Sequence, residues 1–413
     1  MKRAGLDTAQ RSSKTQKKGH HPFFDMSPRK SALKWINALE SVLIAKSPVN
    51  EAARSKIAAF DLDGTLISTK SGRVFAKDEN DWRWWDPTIP KRIDALYNEG
   101  YKIVIFSNQN GLNSDKKTKG FQFKIEAILN QVSSPVLVMA ATKKDKYRKP
   151  MTGMWEWLEQ NNGDVSIDKS QSFYVGDAAG RDDGWKPRYK KDHSCGDRKF
   201  ADNVNIAFYT PEEFFLKEPK AKFQWRGFNA KQHIASALPL YTPDSTPLVS
   251  QEDGKSEVVV CVGYPASGKS SFAKKYLVPK GYVYINQDTL KTRDRCIAAC
   301  QAALSQKKSV VVDNTNPERA TRALYIKLAQ NAKASVRCFY FGDDEELSQH
   351  NNYYRAVHKP EEKRDLLSSI AFRTFKSKLQ EPSTAEGFEE VKKINFVFDG
   401  PDSDKEAWQT WWH

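Results

Sequence analysis

Two apolar runs, each leading straight into a glycine-containing loop with charged side chains, constrain the fold of this chain most. IAAF at 57–60 precedes DLDGT at 61–65, and VVVCV at 258–262 precedes GYPASGKS at 263–270. A strand with apolar residues at every position is buried on both faces, which is typical of a parallel sheet covered by helices. Two such starts in 413 residues predict two α/β domains.

Strand and helix patterns alternate after each of these starts. In the first half, the strand-like runs YKIVIF at 101–106 and SFYVG at 172–176 are separated by helical stretches. The alternation predicts two doubly wound parallel sheets with ligand sites at the carboxyl ends of their strands. We therefore expect an α/β protein with one domain at 31–217 and a second at 256–413.

Three segments outside the two sheets have patterns of their own. Residues 1–30 are polar and basic, which predicts a disordered tail. The proline-rich residues 218–255 predict a linker. Apolar residues at helical spacing before the first motif predict an entry helix over Trp35 to Leu43.

The composition restricts the partners and the compartment. A formal net charge of +15 favours an anionic partner, most often nucleic acid, although such a charge can also serve solubility alone. Five scattered cysteines without a CxxC pair indicate reduced thiols rather than a disulfide framework or a zinc site. No apolar stretch is long enough to cross a membrane and no signal peptide precedes the first domain, so we expect no membrane partner.

Two carboxylates at the end of the strand at 56–60 suit phosphoryl transfer. Asp61 can attack phosphorus and form a covalent intermediate. Asp63 can protonate the leaving oxygen and later deprotonate the attacking water. Since carboxylates repel a phosphate, we expect Mg²⁺, with Asp61, Asp63 and Asp177 as its ligands. The alternative is a turn in which the aspartates only cap backbone groups.

Three further polar residues follow later strands of the same predicted sheet. Ser107 can hydrogen-bond the phosphoryl group, Lys149 can neutralise it, and Asp177 adds a carboxylate for the metal ion. Any one of them would more often be a surface residue. Because carboxyl ends of parallel strands meet at one edge of a sheet, the four positions together predict a catalytic site.

The four positions match, in order, the four motifs of the haloacid dehalogenase superfamily of phosphatases. The stretches DWRWWDPTIP, GYKIVIFSNQNG, FYVGDAAGR, KKDHSCGDRKFADN and TPEEFF resemble the phosphatase domain of the polynucleotide kinase 3′-phosphatase family. These stretches extend over most of residues 55–217. The resemblance implies a 3′-phosphate at a DNA end as the substrate.

The second motif fits the pattern GxxxxGK[ST] between a strand and a helix, which is a cradle for a nucleoside triphosphate. Its glycines let backbone N–H groups face the phosphates, the lysine neutralises their charge, and the serine after it can bind Mg²⁺. We expect ATP to be held by Gly263, Ser267, Gly268, Lys269, Ser270, Ser271 and Asp313, with Ser270 also a metal ligand.

Two residues outside the cradle are candidates for catalysis of phosphate transfer to an acceptor. Asp288 follows the strand-like YVYIN and can accept the proton of an attacking hydroxyl. It can also serve as an N-cap of a helix at 290–305, and both roles are compatible. Arg355 can reach over the triphosphate as a lid, or it is an ordinary helix-surface arginine.

NQDTLK, VVVDNTNPERATRALYIKLA, HNNYYR and AFRTFKSKLQEPSTAEGF resemble the kinase domain of the same family. The resemblance implies that Asp288 is the base for a 5′-hydroxyl. Gln287 stands where the animal enzymes usually carry arginine, so Arg293 or Arg295 is expected to supply that contact. The room before residue 55 is too short for the forkhead-associated domain of the animal enzymes, which we expect to be absent.

Basic and aromatic residues in the first domain suggest a nucleic-acid surface. Basic residues are dense at 186–199 and 143–148, where they can contact a strand backbone. One of Trp82, Trp84 and Trp85 can stack on a terminal base, although core packing is the more frequent fate of tryptophan.

Taken together, the two resemblances imply a DNA end-healing enzyme of strand-break repair. Such an enzyme hydrolyses 3′-phosphates and uses ATP to phosphorylate 5′-hydroxyls. We expect a nuclear monomer whose partners are DNA ends, DNA ligase and other repair factors, with RNA ends left open as substrates. The alternatives are a fused small-metabolite phosphatase and kinase, and a DNA-binding scaffold with one inactive domain.

Overall fold

The computed structural model describes residues 33–47, 52–249, 255–359 and 365–413. The tail predicted at 1–30 lies outside these residues. Within them, each half of the chain is built on one large, mostly parallel sheet with apolar cores on both of its faces. This confirms the predicted fold class, while the domain limits themselves stay predictions.

The strand that ends just before Asp61 is an interior strand of the first sheet. The strands of this half are, in chain order, β1 (Lys34–Leu39), β2 (Val42–Lys46), β3 (Lys56–Phe60), β4 (Ile67–Ser68), β5 (Arg83–Trp84), β6 (Tyr101–Asn108), β7 (Val136–Ala141), β8 (Phe173–Val175) and β9 (Ala207–Tyr209). The spatial order is β1-β2-β7-β6-β3-β8-β9, and β4 pairs with β5 in a separate ribbon. β3 runs parallel to both of its neighbours, β6 and β8.

The entry helix predicted over Trp35 to Leu43 is wrong, because these residues belong to an antiparallel hairpin of β1 and β2 at the edge of the sheet. Val42 and Ile44 pack into the core on one face, whereas Leu43 and Ala45 pack against the other. A strand buried on both faces has no polar side to reveal its period, so its apolar residues also fit a helical spacing.

Helices cover both faces of this sheet and position its loops. They are α1 (Ile89–Asn98), α2 (Asp115–Leu129), α3 (Gly153–Gln160), α4 (Gly196–Val204) and α5 (Pro211–Phe215). In β3, Ile57 and Ala59 face the core beside α3 and α4, whereas Ala58 and Phe60 face the core beside α1 and α2. The apolar run at 57–60 is therefore buried from both sides, as its composition predicts.

The second sheet has the strand before the GYPASGKS loop near its middle. Its strands are β10 (Tyr241–Thr242), β11 (Glu257–Val262), β12 (Val283–Ile285), β13 (Val310–Val312), β14 (Ser335–Tyr340) and β15 (Glu390–Ile394). The spatial order is β10-β15-β14-β11-β13-β12, and all pairs are parallel except that of β10 with β15. β10 lies within the predicted linker at 218–255, so part of that segment belongs to the sheet.

The helices of this half are α6 (Ala230–Ala235), α7 (Lys269–Phe272), α8 (Gln287–Leu290), α9 (Arg293–Ser305), α10 (Arg319–Asn331), α11 (Glu345–Val357), α12 (Ser369–Lys378) and α13 (Asp402–Trp408). A small cluster beside the sheet joins Phe228 and Ala230 to Leu347 and the fully buried Trp408. In the part of the chain that the structure describes, none of the helices has the length and apolarity needed to cross a bilayer.

Candidate active sites

Asp61 directly follows β3, and its backbone N–H donates to the carbonyl of Val175 in the neighbouring β8 over 2.8 Å. Gly64 closes the turn with a φ of +88°, and a Cβ there would lie 2.4 Å from Oδ2 of Asp177. Both the left-handed backbone and this close approach require glycine. The DLDGT loop thus brings the carboxylates that follow two different strands to one edge of the sheet.

Lys149 lies at the centre of a buried network of charges. Its Nζ donates to Asp61 Oδ1 over 2.6 Å, to Asp197 Oδ1 over 2.8 Å and to the Tyr174 hydroxyl over 2.6 Å. The side chain of Asn108 fixes the backbone of Lys149, since its Oδ1 accepts from the lysine N–H and its Nδ2 donates to the carbonyl, each over 3.0 Å. The lysine is therefore held at both its backbone and its charged end.

Burial is the largest single influence on each pKa in this network, and the neighbouring charges modify it. Burial raises the pKa of Asp61 to about 7, with Lys149 opposing the rise and Asp197 adding to it. Burial, reinforced by the charges of Asp61 and Asp197, raises the pKa of Asp177 well above its ordinary value. Burial lowers the pKa of Lys149, but Asp197 and Asp61 together outweigh it and leave the pKa above its ordinary value.

Three carboxylates of this network form a cluster that suits a divalent cation. Oxygens of Asp61, Asp177 and Asp197 all lie within 4.8 Å of one another. Oxygen ligands from carboxylates are those that Mg²⁺ prefers. The donor set therefore fits the predicted Mg²⁺, because one lysine cannot balance three close carboxylates.

The structure does not bring the Asp63 carboxylate into this acidic cluster. The Asp63 side chain is 53% exposed and pairs with Lys124 Nζ over 3.2 Å. Gln109 Nε2 donates to Asp63 Oδ2 over 2.6 Å and to the hydroxyl of the buried Ser107 over 2.9 Å. The side-chain amide of Gln109 thus links Asp63 to Ser107, and the Asp63 carboxylate faces solvent.

Sequence reasoning missed several residues of this site. They are Asn108, Gln109, Lys124, Tyr174 and Asp197. Asp197 opens α4 within the stretch KKDHSCGDRKFADN, which carried part of the family resemblance. A carboxylate in a first helical turn is a common pattern, so this signal alone could not separate Asp197 from a surface residue.

Of the three tryptophans proposed for base stacking, one is buried and two are half-buried. Trp82 is buried and contacts Trp84 edge to face. The Trp84 Nε1 donates to Gln131 over 2.7 Å, and the Trp85 ring packs on Phe215. Trp82 is thus part of the core, whereas Trp84 and Trp85 are half-buried and pack against it, so stacking of one of these two on a terminal base stays a prediction.

The basic run at 186–199 divides into structural and exposed residues. Arg198 Nε donates to the Ala179 carbonyl over 2.8 Å, and Lys199 is buried. Exposed cations remain at one end of the run, and they are Arg188, Lys190 and Lys191. The surface that could contact a strand backbone is therefore smaller than the composition suggests.

The cradle after β11 is shaped by its glycines and by one buried lysine. Gly268 has a φ of +99°, and a Cβ there would lie 3.3 Å from the Phe396 ring. Lys269 Nζ donates to the Gly263 carbonyl over 3.0 Å, to the Ser267 hydroxyl over 3.3 Å and to the Tyr264 carbonyl. The lysine is thus turned back onto its own loop, and Ser270 and Ser271 follow it in the first turn of α7.

A second network places Asp288 beside this cradle. Asp313, buried at the end of β13, accepts from the Tyr284 hydroxyl and from Asn286 Nδ2. Asn286 is the N-cap of α8, and its Oδ1 accepts from the N–H groups of Asp288 and Thr289 over 2.9 and 3.3 Å. The alternative role of Asp288 as an N-cap is wrong, since the helix predicted at 290–305 begins at Arg293 with Thr292 as its N-cap, and Asp288 lies exposed inside α8.

The predicted kinase residues act on one another electrostatically. Burial lowers the pKa of Lys269 to about 8, with Asp313 and Asp288 raising it and the positive charge of Arg355 lowering it. Arg355 lies near the end of α11, where it donates to Asn352 Oδ1 over 3.3 Å. The charges of Asp313, Asp288 and Arg355 therefore all influence Lys269.

Comparison with known proteins assigns a family to each half. Residues 56–215 match the family model described as polynucleotide kinase 3 phosphatase, and residues 291–382 match an AAA domain model. The polynucleotide 3′-phosphatase of Saccharomyces cerevisiae is 31% identical over 212 residues, which cover 38% of this chain and 86% of that protein. About two fifths of this chain thus match most of the length of that relative.

Two relatives span both halves. The bifunctional polynucleotide phosphatase/kinase of Schizosaccharomyces pombe is 43% identical over 371 residues, which cover 89% of this chain and 86% of that protein. A protein of Acanthamoeba polyphaga mimivirus named for the same two activities is 32% identical over 412 residues, covering 91% of this chain and 93% of its own. With both sites present and the similarity continuous across them, this chain belongs to the family of bifunctional polynucleotide phosphatase/kinases.

Proposed function

We propose that this enzyme heals DNA ends in strand-break repair by removing 3′-phosphates at the first site and phosphorylating 5′-hydroxyls at the second. The observation that carries the proposal is the pairing, in one chain, of a buried Asp61–Lys149 cluster with a phosphate cradle around Lys269. The names of the relatives support polynucleotide ends as the substrate.

At the first site, a carboxylate oxygen of Asp61 attacks phosphorus and the bond from phosphorus to the 3′-oxygen breaks. Asp63 donates its proton to that oxygen and then takes a proton from the water that hydrolyses the aspartyl-phosphate, which releases inorganic phosphate. The exposed position of Asp63 supports this role, because its carboxyl group is accessible to both the leaving strand and water. Ser107 and Lys149 hold the phosphoryl oxygens.

Asp61, Asp177 and Asp197 are proposed to hold Mg²⁺ at the first site, and Ser270 is proposed to hold it at the second. When bound, the cation supplies positive charge that offsets the carboxylates and the phosphoryl oxygens. The unbalanced acidic cluster supports this assignment at the first site.

At the second site, Asp288 takes the proton of the 5′-hydroxyl, whose oxygen attacks the γ-phosphorus of ATP. The bond from that phosphorus to the oxygen of the β-phosphate breaks, and ADP leaves. The loop from Gly263 to Ser271 holds the phosphates, and Arg355 stabilises the charge that develops on the transferring group. The influence of Arg355 and Asp288 on the pKa of Lys269 supports their nearness to the cradle.

The wider setting of the enzyme follows from its product, an end with a 3′-hydroxyl and a 5′-phosphate. Such ends are substrates of a ligase, so DNA ligase and other repair factors are the proposed partners of a nuclear, monomeric enzyme. Arg188, Lys190 and Lys191 are exposed in the first half and support contact with a strand backbone.

The proposal is tested with one labelled nicked duplex that carries a 3′-phosphate and a 5′-hydroxyl, in Mg²⁺ with and without ATP. We expect the 3′-phosphate to be lost in both conditions and the 5′-phosphate to be gained only with ATP. Neither change, with hydrolysis of p-nitrophenyl phosphate retained, would reject polynucleotide ends in favour of a small metabolite. A parallel RNA duplex decides between the two nucleic acids.

A further inference from the structure

The segment Asp402–His413 lies against both halves of the molecule and contacts each of them through an asparagine. Trp411 reaches α4 of the first half, and Trp408 reaches α11 of the second. Each asparagine, in turn, bonds to a main-chain carbonyl in a loop that carries a candidate catalytic lysine. The two chains of contacts start from different residues of the segment and have no residue in common.

The first chain of contacts ends beside Lys149. The Trp411 N–H donates to Asn203 Oδ1 over 2.8 Å, and Asn203 Nδ2 donates to the Trp411 carbonyl over 2.8 Å and to the Pro150 carbonyl over 2.9 Å. Pro150 is the residue after Lys149. Asn203 therefore joins the loop of the catalytic lysine to a residue more than two hundred positions away in sequence.

Trp411 is itself firmly seated on the first half. Its Nε1 donates to Asp202 over 2.8 Å, and its ring stacks on Trp225 at 5.1 Å between centroids. The ammonium of the buried Lys199 lies 4.7 Å from the same ring and donates to the carbonyl of His413 over 2.9 Å. Because these contacts are polar and aromatic together, the position of Trp411 is well defined.

The second chain of contacts ends in the phosphate cradle. Trp408 is completely buried, and its Nε1 donates to Asn351 Oδ1 over 2.7 Å. Asn351 Nδ2 donates to the carbonyl of Ala266 over 3.2 Å. Ala266 lies in the loop before Lys269 with a φ of +64°, a conformation that a non-glycine residue keeps only when its surroundings hold it.

We propose that the segment Asp402–His413 is a positioning element shared by both sites, acting on the Lys149 loop through Asn203 and on the cradle through Asn351. The inference rests on the roles proposed for Lys149 and Lys269. Removing either amide leaves a carbonyl of a partly buried loop without its donor, so the loop shifts to find other partners. Displacement of a reacting group by about 1 Å can lower a rate by about a hundredfold.

The test uses the full-length enzyme and reads both activities from each preparation. Asn203→Ala should lower kcat for 3′-dephosphorylation by about 10- to 100-fold, with little change in KM for the duplex and in kcat for 5′-phosphorylation. Asn351→Ala should show the reverse pattern. The untouched activity in each variant shows that the molecule is folded.

Two further variants locate the effect. Trp411→Ala removes the ring that holds this segment against Trp225 and should lower the phosphatase kcat in the same direction as Asn203→Ala, whereas Trp411→Phe keeps an aromatic ring there and should restore most of the rate. Asn161→Ala is the matched control, because its amide also donates to a backbone carbonyl of the first half but lies exposed at the end of α3. It should change neither activity.

Turnover of p-nitrophenyl phosphate separates this inference from the proposed function. If the unaltered enzyme hydrolyses this ester but not DNA ends, the proposed substrate is wrong, and the Asn203 comparison is then made on the ester. If Asn203→Ala keeps its kcat within about twofold of the unaltered enzyme on either substrate, the positioning role is rejected. Equal losses of both activities in Asn203→Ala would also reject it, since they indicate general destabilisation.

Discussion

The two sites bury a lysine in opposite ways. Lys149 has two carboxylates within hydrogen-bonding distance, Asp61 and Asp197, and its pKa lies above the ordinary value although burial alone lowers it. The ammonium group of Lys269 donates to two carbonyls and a hydroxyl of its own loop, and burial lowers its pKa to about 8. One lysine is neutralised by the protein, whereas the other has no ion partner within the cradle.

The difference indicates which kind of ligand would complete the charge balance around each lysine. The network around Lys149 already has more negative than positive charge, so it is suited to gain a cation before a phosphate approaches. Lys269 has its donors on main-chain carbonyls that cannot balance its charge, and phosphate oxygens would form stronger, charge-assisted bonds with it. The first site is therefore built mainly by the protein, and the second is completed by its nucleotide.

The largest expected effect comes from removing the nucleophile of the first site. Asp61→Asn keeps the shape of the side chain but cannot form the aspartyl-phosphate, so 3′-dephosphorylation should fall by at least about 10⁴-fold. Phosphorylation of 5′-hydroxyls should be unchanged. The labelled nicked duplex measures both, with the exposed Asp164→Asn as a control. Loss of both activities would show that the two sites are coupled.

Removing the lysine of the cradle should give the next largest loss. Lys269→Met should lower 5′-phosphorylation by about 10³-fold, because it removes the positive charge that the cradle itself places on the transferring phosphate. The 3′-phosphatase should stay active. ATP-dependent labelling of a 5′-hydroxyl oligonucleotide is the measurement, and the exposed Lys280→Met is the control. Retained kinase activity would contradict the assignment of the cradle.

A smaller effect should identify the third carboxylate of the acidic cluster. Asp197→Asn keeps an oxygen for the bond with Lys149 but removes a charge from the proposed cation site, so the Mg²⁺ concentration for half-maximal 3′-phosphatase activity should rise about 10- to 100-fold. The Mg²⁺ dependence of the kinase should not change. An unaltered Mg²⁺ dependence of the phosphatase would exclude Asp197 as a ligand.

The smallest expected effect concerns the stability of the protein. It extends the comparison of the two buried lysines to a buried histidine, His350, which bonds to a backbone carbonyl. His350 lies beside Trp408 and bonds to its carbonyl over 2.7 Å, and burial lowers its pKa from 6.5 to about 3. Between these values the unfolded chain binds more protons than the folded one, so stability is present above pH 6.5 and falls as the pH falls.

We expect this residue to contribute a slope of up to about 1.4 kcal/mol per pH unit below pH 6.5. His350→Gln keeps a donor for the Trp408 carbonyl but does not titrate, so denaturant unfolding of this variant should depend less steeply on pH. Equal slopes for the variant and the unaltered enzyme between pH 5 and 6.5 would contradict the role of His350.

The sequence predicts those parts of the sites that follow directly from a strand end. Asp61, Lys149 and Lys269 are each found near a buried strand, and local pattern is sufficient to place them. Asp197 and Asn203 reach the first site only because α4 packs against that edge, which no local pattern specifies. The inward turn of Lys269 likewise depends on where loop carbonyls lie once the chain has folded.

The edge hairpin of β1 and β2 illustrates the same limit at the level of the fold. The apolar positions from Trp35 to Leu43 fit a helix when read alone. β2 pairs with β7, more than ninety residues later in the chain. This pairing favours a strand over a helix, because it gives the backbone N–H and C=O groups hydrogen-bond partners and buries both faces of β2. Long-range pairing therefore overrides local periodicity here.

The contact of Trp411 with Asn203 also orders events during translation. The two residues are 208 positions apart, so a ribosome adding about 5–20 residues per second needs roughly 10–40 s between them. The strands of the first sheet end at Tyr209 and are all available before then. On each nascent chain, the surface of α4 that receives Trp411 thus stays uncovered until the second half of the protein has been synthesised.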